Sequence, residues 1–324
     1  MKDIFVIIPT LDPNEKIMED FITKLQKEFK NIIIVNDGCK QEYEDFFKKF
    51  TNKKIKVLRN NVNLGKGMAL KHAYNYILNE YPKCKGVVSA DCDGQHSVED
   101  IKKCAQAVLD NPDSLILGVR DFNRPDVPRR SKFGNKMTKF VMEELVDLTI
   151  TDTQTGLRGM SLSVTKKLIK TSGERYEYET NTLISCKDQN IDIIEIPIET
   201  IYIDGNADSH FDPIGDSIKI YKSFSKHLAK LLLSLLINLS IFAIITKILT
   251  LPAIITITFA IIIANVVCIK LFKLKEIDIV NRIVFITTLV VLTLILSGIT
   301  NISYSICYII CMILSYLLLR LFFE

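Results

Sequence analysis

None of the eight cysteines forms a C-x-x-C pair, and no zinc-type spacing of cysteine and histidine occurs. Neither a dithiol redox motif nor a structural zinc site is therefore indicated. The cysteines are scattered, three of them (Cys268, Cys307 and Cys311) in the apolar half, and read as reduced thiols of a cytosol-facing or membrane-embedded protein. There is no G-x-G-x-x-G, which disfavours a dinucleotide enzyme, and no Walker A loop. Basic patches interleaved with aromatics are missing and the net charge of +4 is mild, so nucleic acid is not expected as a partner. The opening MKDIFVIIPT has too short an apolar run, and no small-residue cleavage site, for a signal peptide.

What is present divides into two halves that the mean hydropathy of +0.22 conceals. Up to about Lys230 charge and apolar residues mix as in a soluble domain large enough to bury its own core. Beyond it lie four apolar stretches, about 228–246, 252–271, 283–299 and 304–323, each near the roughly 20 residues that cross a bilayer. Lys270, Lys273, Lys275 and Arg282 gather between the second and third, and Arg320 ends the fourth, whereas the other connections carry only Lys247 or no charge. The positive-inside rule then puts the first half, the middle loop and the C-terminus on the cytoplasmic side of the inner membrane, as a multi-pass protein. Residues 214–230 place Ile214, Ile218, Tyr221, Phe224 and Leu228 at helical spacing among lysines. That pattern fits a surface helix packed on the domain or, ahead of a membrane segment, an interfacial helix on anionic lipid. The expected domains are 1–213, this basic helix at 214–230, and 231–324 with four transmembrane helices.

In the first half DIFVIIPT, NIIIVNDG, IKVLRN, GVVSAD and SLILGVR are short apolar runs ending in polar turns, separated by amphipathic segments at 14–30, 66–80 and 97–110. Strand–helix alternation of this kind predicts an α/β fold with a parallel sheet covered on both faces. Ligands of such sheets bind at the carboxyl ends of the strands, where the polar clusters fall. Asp91 and Asp93 follow the fourth run in ADCDGQH, and two carboxylates at a strand end suit a hard divalent cation that also takes phosphate oxygens and water. Gln95 could add a carbonyl oxygen, with His96 orienting the loop. The plainer alternative is a solvated turn with Ser97 as the helix cap. In NNVNLGKG, Gly65 and Gly67 flank Lys66 and let backbone N–H groups approach an anion, with Asn63 beside them. Asp37 is a turn residue or an acceptor for a base or ribose. Arg120, Arg124, Arg129 and Arg130 follow the fifth run, and guanidinium groups match phosphates bidentately. The polar stretches 152–159 and 175–181 read as an acceptor site, with Asp152 and Gln154 the candidates in the first; His72 is read as a helix surface residue.

As an ordered set, IIPTLDPNE, VNDG, NLGKG, ADCDGQH, GVR, DTQTGLRG and SHFDPIGDSIKIY resemble the family 2 glycosyltransferases of the dolichyl/polyprenyl-phosphate sugar synthase type, over roughly 1–225. The resemblance implies a GT-A fold, with Pro9, Leu11, Glu15 and Asp37 holding the nucleotide. It further implies that Asp91, Asp93 and Gln95 bind Mg²⁺ or Mn²⁺ and that Arg120 and Arg130 hold a lipid phosphate. The substrates it implies are a UDP- or GDP-hexose donor and a polyprenyl (undecaprenyl) phosphate acceptor. The four apolar stretches look like a GtrA-type membrane domain, through which copies of the chain could assemble, although no small-xxx-small pattern decides this. Leu11 stands where many relatives carry an aromatic, two residues extend that loop, and Cys92 replaces an alanine between the aspartates. His210 stands where relatives carry a diphosphate-binding arginine. A polyprenyl phosphate is already an anion at neutral pH, so a single inverting displacement needs alignment and charge neutralisation but no base.

Three alternatives remain at this level. An inactive domain serving as scaffold or partner platform is opposed by the intact Asp91, Asp93 and Lys66. A glycan polymerase of the same broad family would usually carry Q-x-x-R-W, and the chain has no tryptophan. Translocation of a lipid-linked sugar by the spans themselves has few polar residues to support it, Asn238 and Asn265 being the exceptions.

Overall fold

Strand β1 (Ile4–Thr10) is buried along its whole length, and β2 (Asn31–Asp37) is buried after its first residue. Continuous apolar sequence rather than alternation is what a strand covered on both faces requires. The structure is a computed structural model. It describes residues 1–248 except 52–54, 123, 126, 128 and 200–214, and beyond 248 only 255, 258, 259, 262, 263, 289, 293 and 306–310. Five further strands, β3 (Lys56–Asn60), β4 (Gly86–Ser89), β5 (Leu115–Val119), β6 (Arg158–Ser161) and β7 (Ile193–Pro197), complete one sheet in the order β3-β2-β1-β4-β6-β5-β7.

The expected all-parallel sheet is corrected at β6, which runs antiparallel to both β4 and β5. The other neighbours are parallel. Strand β6 reads RGMS, without the apolar run that marks the rest, and is held from both sides by its neighbours instead.

Helices cover both faces. On one side α1 (Glu15–Glu28), α2 (Glu44–Thr51) and α4 (Val98–Asp110) bury Met18, Phe21, Phe46, Phe47, Ile101 and Cys104. On the other α3 (Lys66–Glu80), α6 (Leu162–Leu168), α7 (Glu177–Asp188) and α8 (Gly215–Ser223) bury Ala69, Leu70, Leu168, Leu183 and Ile220. The starts of these helices are set by short polar side chains. Asn14 accepts from the Ile17 N–H, and Ser97 caps α4 by accepting from the Asp100 N–H at 3.1 Å. A further helix, α5 (Arg129–Val141), runs on into a π-helical turn at Met142–Val146.

The chain separates into two compact units, Met1–Ser225 and Lys226–Glu324. Residues 214–230 do not form one amphipathic helix: α8 ends at Ser223 and α9 (Ser225–Ile248) starts afresh. Ile220 and Phe224 are in the core of the first unit, while Ile218 and Tyr221 are exposed. The apolar stretch 228–246 falls within α9; of the other three only scattered residues are described. Among the described residues no helix is long and apolar enough to cross a membrane.

Candidate active site

The carboxyl ends of β1, β2 and β4 and the first turn of α3 surround one cleft of ≈ 160 Å³. Its lining includes Pro9, Leu11, Asp37, Asn63, Gly65, Lys66, Asp91, Cys92 and Asp93, together with Arg175 and Tyr176. A larger hollow of ≈ 440 Å³, lined by Lys2, Asn31, Tyr81 and Cys84 among others, gathers none of these groups.

At the centre of the cleft is an ion triad. Lys66 Nζ lies 2.6 Å from Asp91 Oδ1 and 2.9 Å from Glu179 Oε1, while His96 Nε2 stands 3.3 Å from Asp91 Oδ2. Burial works against the charge on Lys66, yet the two carboxylates outweigh it and hold its pKa above the ordinary lysine value. Burial would likewise raise Asp91, but Lys66 and His96 hold it well below the usual carboxylate range. Asp93 goes the other way: burial and the neighbouring Asp91 charge both raise it. Cys92 between them is pushed up to about 12, first by burial and then by the two aspartates, so it stays a thiol.

Asp37 lines the cleft and also holds the turn that follows. Its Oδ1 accepts from Asn60 Nδ2 at 2.8 Å and the Leu64 N–H at 3.1 Å, and its Oδ2 accepts from the Gly65 N–H at 2.8 Å. The carboxylate therefore builds the 60–65 loop that delivers Lys66. His72 is half-buried and bonded through Nδ1 to Asn60 at 2.8 Å, so it braces this loop instead of facing solvent. Gly65 has φ +97°, and a Cβ there would strike the Glu174 carbonyl.

A second cluster forms after β5. Arg120 donates from Nε to Asp152 Oδ2 at 2.7 Å and from Nη2 to Oδ1 at 3.1 Å, a bidentate pair. Asp152 is fully buried and also accepts from the Gln154 N–H at 3.1 Å. The two clusters meet at Gly156, where any Cβ would collide with the Asp91 carboxylate.

Some candidates are not brought in. Glu15 is exposed in the first turn of α1 and does not line the cleft. Gln95 donates its N–H to Asp93 Oδ1 at 3.0 Å, next to the cleft. Arg130 falls in α5, but its side chain lies outside the described residues, as does the whole of His210.

Residues 5–169 match the family described as glycosyl transferase family 2. The chain belongs to that family. A UDP-N-acetylglucosamine–dolichyl-phosphate N-acetylglucosaminyltransferase of Methanococcus voltae is 32% identical over 224 residues, 62% of this chain and 86% of that one. An uncharacterised protein of Methanocaldococcus jannaschii is 31% identical over 205 residues, 62% of this chain and 82% of its own. Among solved structures, glucosyl-3-phosphoglycerate synthase of Mycobacterium tuberculosis with Mn²⁺, UDP-glucose and phosphoglyceric acid shares the fold. Its TM-score is 0.52 at 15% identity, covering 69% of this chain and 79% of that one. The same enzyme with Mn²⁺, UDP and phosphoglyceric acid gives 0.51 at 15% identity, covering 69% and 76%. The GT-A-like α/β domain is thus shown, and with it a transferase.

In this family 2 glycosyl transferase the donor set suits a hard divalent cation. Among the described residues no three of His, Cys, Asp and Glu converge on one point. Asp91 and Asp93 alone would leave most positions of such an ion to diphosphate oxygens and water. Burial first, and then the like charge of Asp91, raise the Asp93 carboxyl, and a cation held by the two carboxylates would offset both.

Two buried residues escaped sequence reasoning. Glu179 lies within the acceptor-like stretch 175–181, yet its partner Lys66 is distant in sequence. Arg158 donates from Nε to the Thr155 carbonyl at 2.9 Å, and from Nη1 to the Glu179 carbonyl at 2.6 Å and Thr182 Oγ1 at 2.8 Å. It fastens the 153–155 loop to α7. A lone arginine in DTQTGLRG carries no signal that distinguishes a buried clamp from a ligand.

Proposed function

We propose that this family 2 glycosyl transferase moves a hexose from a nucleotide-sugar to a polyprenyl phosphate, inverting the anomeric centre in one displacement. The reaction takes place on the cytoplasmic side of a membrane that holds the GtrA-like C-terminal half. Chief support comes from the cleft in which Asp91, Asp93 and Lys66 meet at the first turn of α3. A strand end with two carboxylates, a buried ammonium and a helix N-terminus suits a metal–diphosphate group. The dolichyl-phosphate acceptor in the name of the Methanococcus voltae relative supports a lipid phosphate here, and its UDP donor supports UDP. The apolar stretches beyond 228 support the anchor.

Asp91 and Asp93 would hold Mg²⁺ or Mn²⁺, which supplies positive charge to the departing diphosphate. Lys66 and the α3 N-terminus add fixed positive potential on the same side. The acceptor phosphate needs no base, so Arg120, locked in orientation by Asp152, acts by placing that phosphate in line.

The test uses membranes carrying the full chain, undecaprenyl phosphate, Mn²⁺ or Mg²⁺ and a panel of radiolabelled UDP- and GDP-sugars. Metal-dependent label in the organic phase from one donor is the expected result. No label from any donor, with the first unit shown folded, would overturn the proposal in favour of a scaffold.

The role of Arg120 has its own check. Arg120→Lys keeps the charge but loses the fork, so KM for the lipid phosphate should rise about tenfold or more, with donor KM little changed and stability lower by roughly 1–3 kcal/mol. Equal rises in both KM values would assign Arg120 to the fold rather than to the acceptor.

A further inference from the structure

Asp12 follows Leu11 of the cleft lining and belongs to neither charged cluster. It has a positive φ of +39°, which Asp tolerates better than most residues. Its polar groups reach across to the turn after β2. The Asp12 N–H donates to Cys39 Sγ at 3.2 Å, and Asp12 Oδ1 accepts from the Lys40 N–H at 3.0 Å. Cys39 is buried and gives its S–H to the Thr10 carbonyl at 3.5 Å. Burial above all pushes this thiol up to about 11, so the proton stays on sulfur at neutral pH. The Lys40 ammonium, 3.7 Å from Oδ2, is largely exposed and adds little. The turn after β2 is fixed on its far side too: Gly38 has φ +76°, and a Cβ there would strike the backbone of Val62 and Asn63. Two turns that neighbouring strands bring side by side are thus joined at the rim, one carrying Leu11 and the other following Asp37, and both of these residues line the cleft.

We propose that Asp12 is a positioning residue for the nucleoside of the donor: it ties the turn after β1 to the turn after β2 and so holds Leu11 and Asp37 at a fixed separation. The assignment to the nucleoside follows from direction. A sugar nucleotide carries its sugar on one side of the diphosphate and its nucleoside on the other. Asp91 and Asp93 follow β4 and Arg120 follows β5, while β1 and β2 lie on the other side of β4 in the sheet. With the diphosphate at the aspartates and the sugar turned towards Arg120, the nucleoside falls at the β1–β2 rim. That direction rests on the function proposed above; the tie between the turns does not. A rim ordered in advance leaves less ordering to be done by the ligand, so breaking the tie weakens nucleotide binding.

Two variants separate the carboxylate from the backbone. Asp12→Gly keeps a residue at ease with positive φ but loses the acceptor, whereas Asp12→Asn keeps a side-chain oxygen for the Lys40 N–H and the same backbone tolerance. Equilibrium dialysis of labelled UDP and GDP against the purified full chain with Mn²⁺ gives nucleotide affinity. Donor and acceptor KM and the unfolding temperature are measured alongside. Asp12→Gly is expected to weaken the better-bound nucleotide about tenfold, as loss of one hydrogen bond to a carboxylate implies, and to raise donor KM to match. Acceptor KM and the unfolding temperature should change little, and Asp12→Asn should recover most of the loss. Unchanged nucleotide affinity in Asp12→Gly would overturn the proposal. Equal rises in both KM values with a lower unfolding temperature would overturn it as well, making Asp12 a brace of the fold. Affinity that responds to Asp12→Gly in a chain that transfers no sugar upholds the positioning role and sinks the proposed activity alone. Transfer with a donor KM blind to the substitution does the reverse, and a parent chain that binds neither nucleotide overturns both.

Discussion

Asp93→Asn is expected to cut sugar transfer by about 10³-fold while leaving the protein folded, with an unfolding temperature unchanged or raised. The first half follows from the cation: losing one of two carboxylate donors at a leaving diphosphate removes several kcal/mol of charge stabilisation. The second half follows from electrostatics in the folded chain. Burial and Asp91 raise the Asp93 carboxyl, so the fold disfavours its ionised form. A group of this sign costs nothing below its unfolded value near 4. Its cost appears as pH rises through the window up to the raised folded value, and it persists at neutral pH. Asn carries no charge and removes that cost, a trade of stability for function common at active sites. Mn²⁺ affinity of the unaltered protein should correspondingly weaken as pH falls through the same window. Transfer assays, unfolding scans and Mn²⁺ titrations check the three parts; activity within tenfold of the parent would remove Asp93 from the metal site.

Lys66→Met should have the opposite profile, losing both activity and stability. The ammonium is the shared counter-ion of Asp91 and Glu179, and Glu179 is only 5% exposed. Deleting one member of a buried ion pair leaves an uncompensated charge and costs about 3–5 kcal/mol. The lower end applies here, because Asp91 keeps His96 and some access to water. Adding Glu179→Gln to the Lys66→Met chain should restore part of the loss by removing the orphaned charge, a coupling that a double-mutant cycle isolates. If Lys66→Met unfolds at the parent temperature, the triad is not a stabilising element and its sole role is in the cleft.

These two residues show which parts of the site could be read in advance. Asp91 and Asp93 stand out because a core strand has no packing reason to end in carboxylates, and Lys66 because glycines bracket it. Local composition carries that information. The Lys66–Glu179 pair and the Arg158 clamp join residues far apart in sequence, and nothing local to either partner announces the other. Arg120 is visible as a polar residue after a strand and Asp152 as part of the polar stretch 152–159, but not as one bidentate unit. Asp37 shows the same limit: a carboxylate after a strand looks alike whether it serves a ligand or the backbone of the next loop, and here it holds that loop while lining the cleft. In the fold, long apolar strands and capped helices were legible. Four-residue β6 was not, because its pairing partners rather than its own side chains make it a strand.

That reversed strand has a consequence for how such a protein can change. Register places Arg158 level with Ser89 on β4 and with Leu117 on β5. A strand entering against the grain starts where its neighbours finish, so residues 152–157 reach the same rim as Asp91 and Arg120 without a long detour. The rim is thereby assembled from stretches far apart in sequence, and two contacts join them: the Arg120–Asp152 pair and the close approach of Gly156 to the Asp91 carboxylate. Within 152–157 those two positions are held by the first set of strand ends, and the residues between them have more room to vary. Exchanging Gln154 between relatives while Asp152 and Gly156 stay fixed should therefore alter substrate preference, read as kcat/KM, without lowering the unfolding temperature.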